Sequence, residues 1–117
     1  MHELSVCQAL IRQVEEVARQ HGAKQVKAIH LDIGPLSGVE PELLRRAYDI
    51  AAGGTAAEGA RLHIEALPLR VRCEECGAES TVAPNRLLCG RCGTWHTRLV
   101  SGDEMLLRSL ELDLPTS

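Results

Sequence analysis

Phenylalanine is absent from this 117-residue chain, and Tyr48 and Trp95 are its only aromatic residues other than histidine. The 44% of apolar residues must therefore build an aliphatic core of modest size, which suits one small domain or a compact body carrying a metal-stapled appendage. No apolar run is long enough to cross a bilayer, and Met1-His2-Glu3 opens acidic rather than basic. Neither a membrane anchor nor a secretory signal is expected, and a cytoplasmic location with reduced thiols is. Repeats, low-complexity runs and long linkers are missing. No nucleophile is paired with a base, and no three-ligand set leaves an open metal position, which argues against a small zinc hydrolase.

No lysine occurs between Arg70 and Arg98, where five arginines face Glu74, Glu75 and Glu79. That excess of two positive charges is cancelled once four thiolates and one Zn²⁺ are counted. The same site makes the whole chain more acidic than its formal net charge of −3. A zinc-ribbon module of transcription or translation is the main alternative supported by the cysteines alone. Such a module would rest on phosphate neutralisation, and this balance does not supply it.

What the chain does have is cysteine in a pattern. Four of its five cysteines form two Cys-x-x-Cys pairs, Cys73-Glu74-Glu75-Cys76 and Cys89-Gly90-Arg91-Cys92, separated by twelve residues. Each pair suits a tight turn that aims two thiolates inward, and two such turns facing each other supply the tetrahedral four-sulfur cage that Zn²⁺ accepts. Gly77 and Gly93 follow the pairs, where glycine tolerates positive φ and its amide is expected to point back at a sulfur. A pair of disulfides, a thioredoxin-like redox centre and four unrelated core thiols are the competing readings. Four protein ligands leave no position for water, so the metal would be structural and the segment unfolded without it.

Along the chain, Leu4, Cys7, Leu10, Ile11, Val14, Val17 and Ala18 recur at helical spacing, with Gly22 as the stop. Cys7 on that stripe reads as a buried core thiol. Val26–Ile33 alternates as a strand, with Ile29, Leu31 and Ile33 facing inward. Gly34-Pro35-Leu36-Ser37-Gly38 breaks it, and Ser37 with Glu40 suggests a capping box ahead of Pro41. The second helix runs to about Ala52, with Leu43, Leu44, Ala47, Tyr48 and Ala51 inside. Strand-like segments follow at Leu62–Val71, Thr97–Val100 and Met105–Leu114, the last with Leu106, Leu110 and Leu112 on one face. The expected fold is α+β: two helices packed on a small three-stranded sheet, with a zinc-ribbon domain at 71–102 inserted into a body formed by 1–70 and 103–117. His21, His30 and His63 read as surface or sheet-edge residues with no partner spacing.

The start of the chain offers a second metal chemistry. A histidine at position two blocks trimming of the initiator methionine, so the α-amine of Met1 stays beside the His2 imidazole. Together with the His2 and Glu3 amides these nitrogens close fused chelate rings. Backbone amides bind metals only when deprotonated, which favours Ni²⁺ or Cu²⁺ in a near-square-planar field. A frayed terminus is the plain alternative.

The Met-His-Glu start, Leu4-Ser5-Val6-Cys7-Gln8, the Gly-Pro-Leu-Ser-Gly-Val-Glu-Pro-Glu-Leu-Leu run at 34–44, Glu58-Gly59-Ala60, the cysteine pairs and Ser101-Gly102-Asp103-Glu104 together resemble the HypA/HybF family over nearly the full length. The resemblance implies a nickel metallochaperone for [NiFe]-hydrogenase maturation, not an enzyme. It implies Ni(II) cargo at Met1, His2 and Glu3 and structural Zn(II) at Cys73, Cys76, Cys89 and Cys92. It also implies the HypB GTPase and the hydrogenase large subunit as partners, with no nucleic acid and no membrane. Some relatives also serve urease. Glu40 stands as either a helix-cap residue or an adjuster of the nickel site, and His96 as a flanking residue of the zinc site. Gly90 departs from the proline that many relatives carry.

Overall fold

The computed structural model of the chain describes residues 2–114, and Met1 lies outside them. The elements in order are α1 (His2–Gln20), β1 (Gln25–Ile33), α2 (Pro41–Ala51), β2 (Arg61–Ala66), β3 (Arg70–Cys73), β4 (Glu79–Thr81), β5 (Thr97–Ser101) and β6 (Met105–Asp113). Two three-stranded sheets form, one in the order β2-β1-β6 and one in the order β4-β3-β5. The strands of the second sheet lie in the chain between β2 and β6. Among the described residues, no helix is long and apolar enough to cross a membrane.

One compact unit comprises Met1–Leu31, Val39–Ile64 and Leu107–Ser117, and the other Asp32–Gly38 and Glu65–Leu106. These limits differ from the 71–102 division because Asp32–Gly38 hydrogen-bonds with the segments on either side of the ribbon. Gly34 donates its N–H to Glu104 O (2.8 Å), Leu36 donates to Gly102 O (2.7 Å), and Leu67 donates to Ile33 O (2.9 Å).

In the first unit the stripe of α1 is buried at Cys7, Leu10, Ile11, Val14 and Ala18, together with Leu44 and Tyr48 of α2 and Val26, Ala28, Ile29 and Leu31 of β1. The core is aliphatic, and the one buried phenol donates its hydroxyl proton to Ala57 O at 2.8 Å. Cys7 is fully buried, as its place on the stripe predicts, and its thiol lies 3.4 Å from Leu44 O. Burial, followed by the nearby Glu3 carboxylate, pushes that thiol up to about 11. Val26 and Ala28 are buried on the strand face expected to be open, because β1 is the middle strand of its sheet. On β6 the covered residues are Met105, Leu107, Leu110 and Leu112. The covered parity changes between Leu107 and Leu110, and Leu106 is exposed rather than inward.

Two expectations for α2 are overturned. Leu43 is exposed, since only Leu44 and Tyr48 share the buried face of the helix. The N-cap is Glu40 itself and not Ser37. Pro41 sets the first helical residue, and the Glu40 carboxylate accepts the Leu43 N–H at 2.9 Å. A carboxylate there also faces the positive end of the helix dipole. Replacing Glu40 with Ala is therefore expected to cost about 1 kcal/mol, read as a shift in the denaturant midpoint with an unchanged slope.

In the second unit β3 is the central strand. Its antiparallel register is Arg70↔Thr81, Val71↔Ser80 and Arg72↔Glu79 on one side, and Val71↔Leu99, Arg72↔Arg98 and Cys73↔Thr97 on the other. Arg72 faces a like charge across β5, and Glu79 offsets it from β4 through a 2.6 Å ion pair.

Candidate metal centre

Strand β3 ends on Cys73, and the chain at once makes a tight turn. Cys73 donates its N–H to Ala78 O (2.9 Å), and Gly77, at φ 77°, donates to Cys73 O (3.1 Å). The second pair repeats the turn: Cys89 donates to Thr94 O (2.9 Å), and Gly93, at φ 76°, donates to Cys89 O (2.9 Å). Only a residue without a Cβ adopts that backbone without strain. The glycine amides thus close the turns on carbonyls and do not reach a sulfur, contrary to the expectation from sequence. On the second cysteine of each pair the amide that acts is one residue further on, Ala78 for Cys76 and Thr94 for Cys92.

The first cysteine of each pair accepts two amides. Cys73 Sγ takes Glu75 N–H (3.3 Å) and Cys76 N–H (3.2 Å), and Cys89 Sγ takes Arg91 N–H and Cys92 N–H, both at 3.4 Å. These donors hold Cys73 below the ordinary thiol range and draw Cys89 down to about 6. Cys76 and Cys92 each receive one amide that lowers them, but crowding by neighbouring sulfurs together with burial outweighs it, and Cys92 rises to about 12. Four sulfurs this close repel one another as thiolates, and a divalent cation among them removes the conflict.

All four sulfurs lie within 4.8 Å of one another. The Cys73–Cys92 and Cys76–Cys89 separations are 3.5 and 3.6 Å. A disulfide needs about 2.05 Å, so the cysteines are thiols. A tetrahedral ion with bonds of about 2.3 Å sets its sulfurs about 3.8 Å apart, and this cluster fits it. Among the described residues it is the one group of three or more Cys, His, Asp or Glu side chains close enough to share an ion. His96 stands outside it. Its Nδ1 lies 3.2 Å from Thr94 Oγ1 and 3.4 Å from Glu75 Oε2, and its ring lies against exposed Trp95. Gly90 donates its N–H to Ser80 Oγ at 2.8 Å, an anchor that a proline at this position could not form.

The amino-terminal residues stand as follows. Met1 lies outside the described residues. His2 opens α1 two residues before the apolar pattern begins, and its side chain is 59% exposed. Its Nε2 is 3.1 Å from the buried Glu3 carboxylate. Burial raises Glu3, but its own amide, the His2 ring and the amide of Glu40 outweigh that and hold it below the usual carboxylate range. Glu40 therefore binds Glu3 through its backbone and caps α2 through its side chain. One grouping escaped the sequence reading. His30 and His63 are not isolated: their rings stack, and His30 Nε2 meets Glu111 at 2.8 Å. The two histidines lie on strands paired far apart in sequence, and only the pairing register brings them together.

The family model described as "Hydrogenase/urease nickel incorporation, metallochaperone, hypA" matches residues 1–112. The hydrogenase maturation factor HypA of Nitrosospira multiformis is 54% identical over 112 residues, covering 96% of this chain and 97% of its own. The HypA of Aquifex aeolicus is 43% identical over 114 residues, covering 97% and 99%. Among solved structures, the Ni metallochaperone HypA from Helicobacter pylori superposes with a TM-score of 0.71 at 25% identity, covering 97% of this chain and 98% of its own. A second HypA solution structure gives 0.75 at 26% identity, covering 98% of both chains. With helices, sheets and four-cysteine cluster all accounted for, the chain belongs to the HypA family of nickel-incorporation metallochaperones and is not an enzyme.

Proposed function

We propose that this chain binds Ni(II) at its amino terminus through the Met1 amine, the His2 ring and the backbone nitrogens of His2 and Glu3, and delivers it to the large subunit of a [NiFe]-hydrogenase. The HypB GTPase is the proposed helper and the cytoplasm the proposed site of action. Zn(II) at Cys73, Cys76, Cys89 and Cys92 is the structural ion, which cross-links the two turns and supplies no chemistry to the cargo. Nickel handling falls to the body formed by 1–70 and 103–117, and the ribbon at 71–102 carries zinc.

The observation that supports the nickel reading is the exposed His2 ring on the first turn of α1, in a chain that matches the family from its first residue. First-turn amides have no partner within a helix, so nickel coordination breaks no helical hydrogen bond. It does displace the contact between the Glu3 amide and its own carboxylate, and it draws the His2 ring away from Glu3. Calorimetric titration with Ni²⁺ tests the reading. His2→Ala, or one residue added before Met1, is expected to weaken binding about 100-fold, equivalent to about 2.7 kcal/mol, with zinc content unchanged. Equal affinity in all three proteins would overturn it.

A further inference from the structure

The sheet order β2-β1-β6 sets His63, His30 and Glu111 on three adjacent strands. The rings of His30 and His63 stack with centroids 4.6 Å apart and planes 9° apart, and His30 Nε2 lies 2.8 Å from Glu111 Oε2. All three belong to the first compact unit, and neither the cysteine cluster nor the amino-terminal chelate uses them. We propose that His30 and His63 are a cross-strand imidazole pair that binds a divalent late-transition ion, with Glu111 as the carboxylate that orients His30.

Three features carry this inference. An ionised carboxylate only accepts hydrogen bonds, so Glu111 fixes the His30 proton on Nε2 and leaves the lone pair on Nδ1. A carboxylate behind a ligating histidine in this way both orients the ring and raises its basicity. The two rings stand on adjacent strands with centroids 4.6 Å apart, close enough for two imidazoles to converge on one ion. With bonds of about 2.0–2.1 Å, the two ligating nitrogens stand roughly 3 Å apart. The exposed His63 ring approaches that separation by turning about its side-chain bonds while Glu111 holds His30.

Access is open as well. His63 is exposed, and the His30 and Glu111 side chains are 23% and 60% exposed. Two imidazole ligands select Ni²⁺, Cu²⁺ or Zn²⁺ over Mg²⁺ or Ca²⁺. The cation of Arg61 acts on the same carboxylate and opposes a second positive charge, so this site binds more weakly than a four-ligand one.

The test uses the full zinc-loaded chain with one residue added before Met1, which keeps the amino-terminal chelate from competing. Ni²⁺ alone is titrated while the ring resonances of the five histidines are followed. Saturable binding that broadens His30 and His63 first is expected. His63→Gln, which changes an exposed side chain, should weaken binding at least about tenfold, and His30→Gln should do the same. An unchanged isotherm in both variants, no saturation, or first broadening at His2 or His96 would overturn the proposal. Because the readout is specific to each ring, failure here leaves the amino-terminal reading standing, and failure of that reading leaves this one standing.

Discussion

Stripping the zinc proposed at Cys73, Cys76, Cys89 and Cys92, by a strong chelator or by Cys89→Ala, is expected to unfold the ribbon while α1 and α2 stay formed. The buried apolar side chains of the second unit are Ile33, Leu69, Val71, Cys73 and Cys89, and the last two belong to the four-cysteine cluster. Three buried aliphatic side chains contribute about 1.5–3 kcal/mol each. A structural zinc contributes roughly 10–16 kcal/mol. The ion therefore outweighs the packing of that unit. The first unit keeps its own core of Cys7, Leu10, Ile11, Val14, Leu31, Leu44 and Tyr48. Amide spectra recorded after chelation should lose dispersion through β3, β4 and β5 and keep it in the helices. Ribbon amides that stay dispersed without metal would contradict this.

Gly34→Ala is expected to be nearly as damaging, although it touches no metal ligand. A Cβ at this position would lie 2.1 Å from Gly102 O, 2.3 Å from Gly102 C and 2.7 Å from Gly102 Cα, all backbone atoms. The two strands of backbone would have to part, breaking the hydrogen bonds from Leu36 to Gly102 (2.7 Å) and from Gly34 to Glu104 (2.8 Å). Gly102 is itself tightly placed: it sits at φ 118°, and a Cβ built on it would meet Leu69 Cδ1 at 2.7 Å and Leu69 Cα at 2.9 Å. The expected cost is about 3–5 kcal/mol, with melting lowered by about 10 °C or more. Gly38→Ala is the control: its φ is 79° and nothing lies within 4 Å, so it should lose only about 1–2 kcal/mol of backbone strain. Similar melting of the two variants would refute the clash argument.

The contrast between these two glycines also marks what was legible in the sequence. Both stand in the Gly-Pro-Leu-Ser-Gly run, which reads as a break between strand and helix. A turn residue is readable from its neighbours, whereas Gly34 is required by Gly102, sixty-eight residues away. The α1 stripe, buried Cys7 and the cysteine turns were readable because spacing alone decides them. The cap of α2 was misread because Ser37 satisfies the capping-box pattern, yet Pro41 places the helix start after Glu40. Leu106 was grouped with Leu110 and Leu112 by even spacing, with Leu107 on the opposite face weakening the alternation, and the strand changes covered parity midway. Strand β4 left no signal in Glu79-Ser80-Thr81, three residues that alternate no apolar face and pair only because β3 is beside them. The His30–His63 stack needed the same long-range information.

Glu40 also ties two ends of the first unit into one mechanical piece. Its backbone hydrogen-bonds the carboxylate of Glu3 while its own carboxylate accepts from Leu43, so the first turns of α1 and α2 share one residue. Anything that tugs on the opening turn of α2 pulls on the residue next to His2. A change at that turn would therefore reach the proposed amino-terminal chelate without touching its nitrogens.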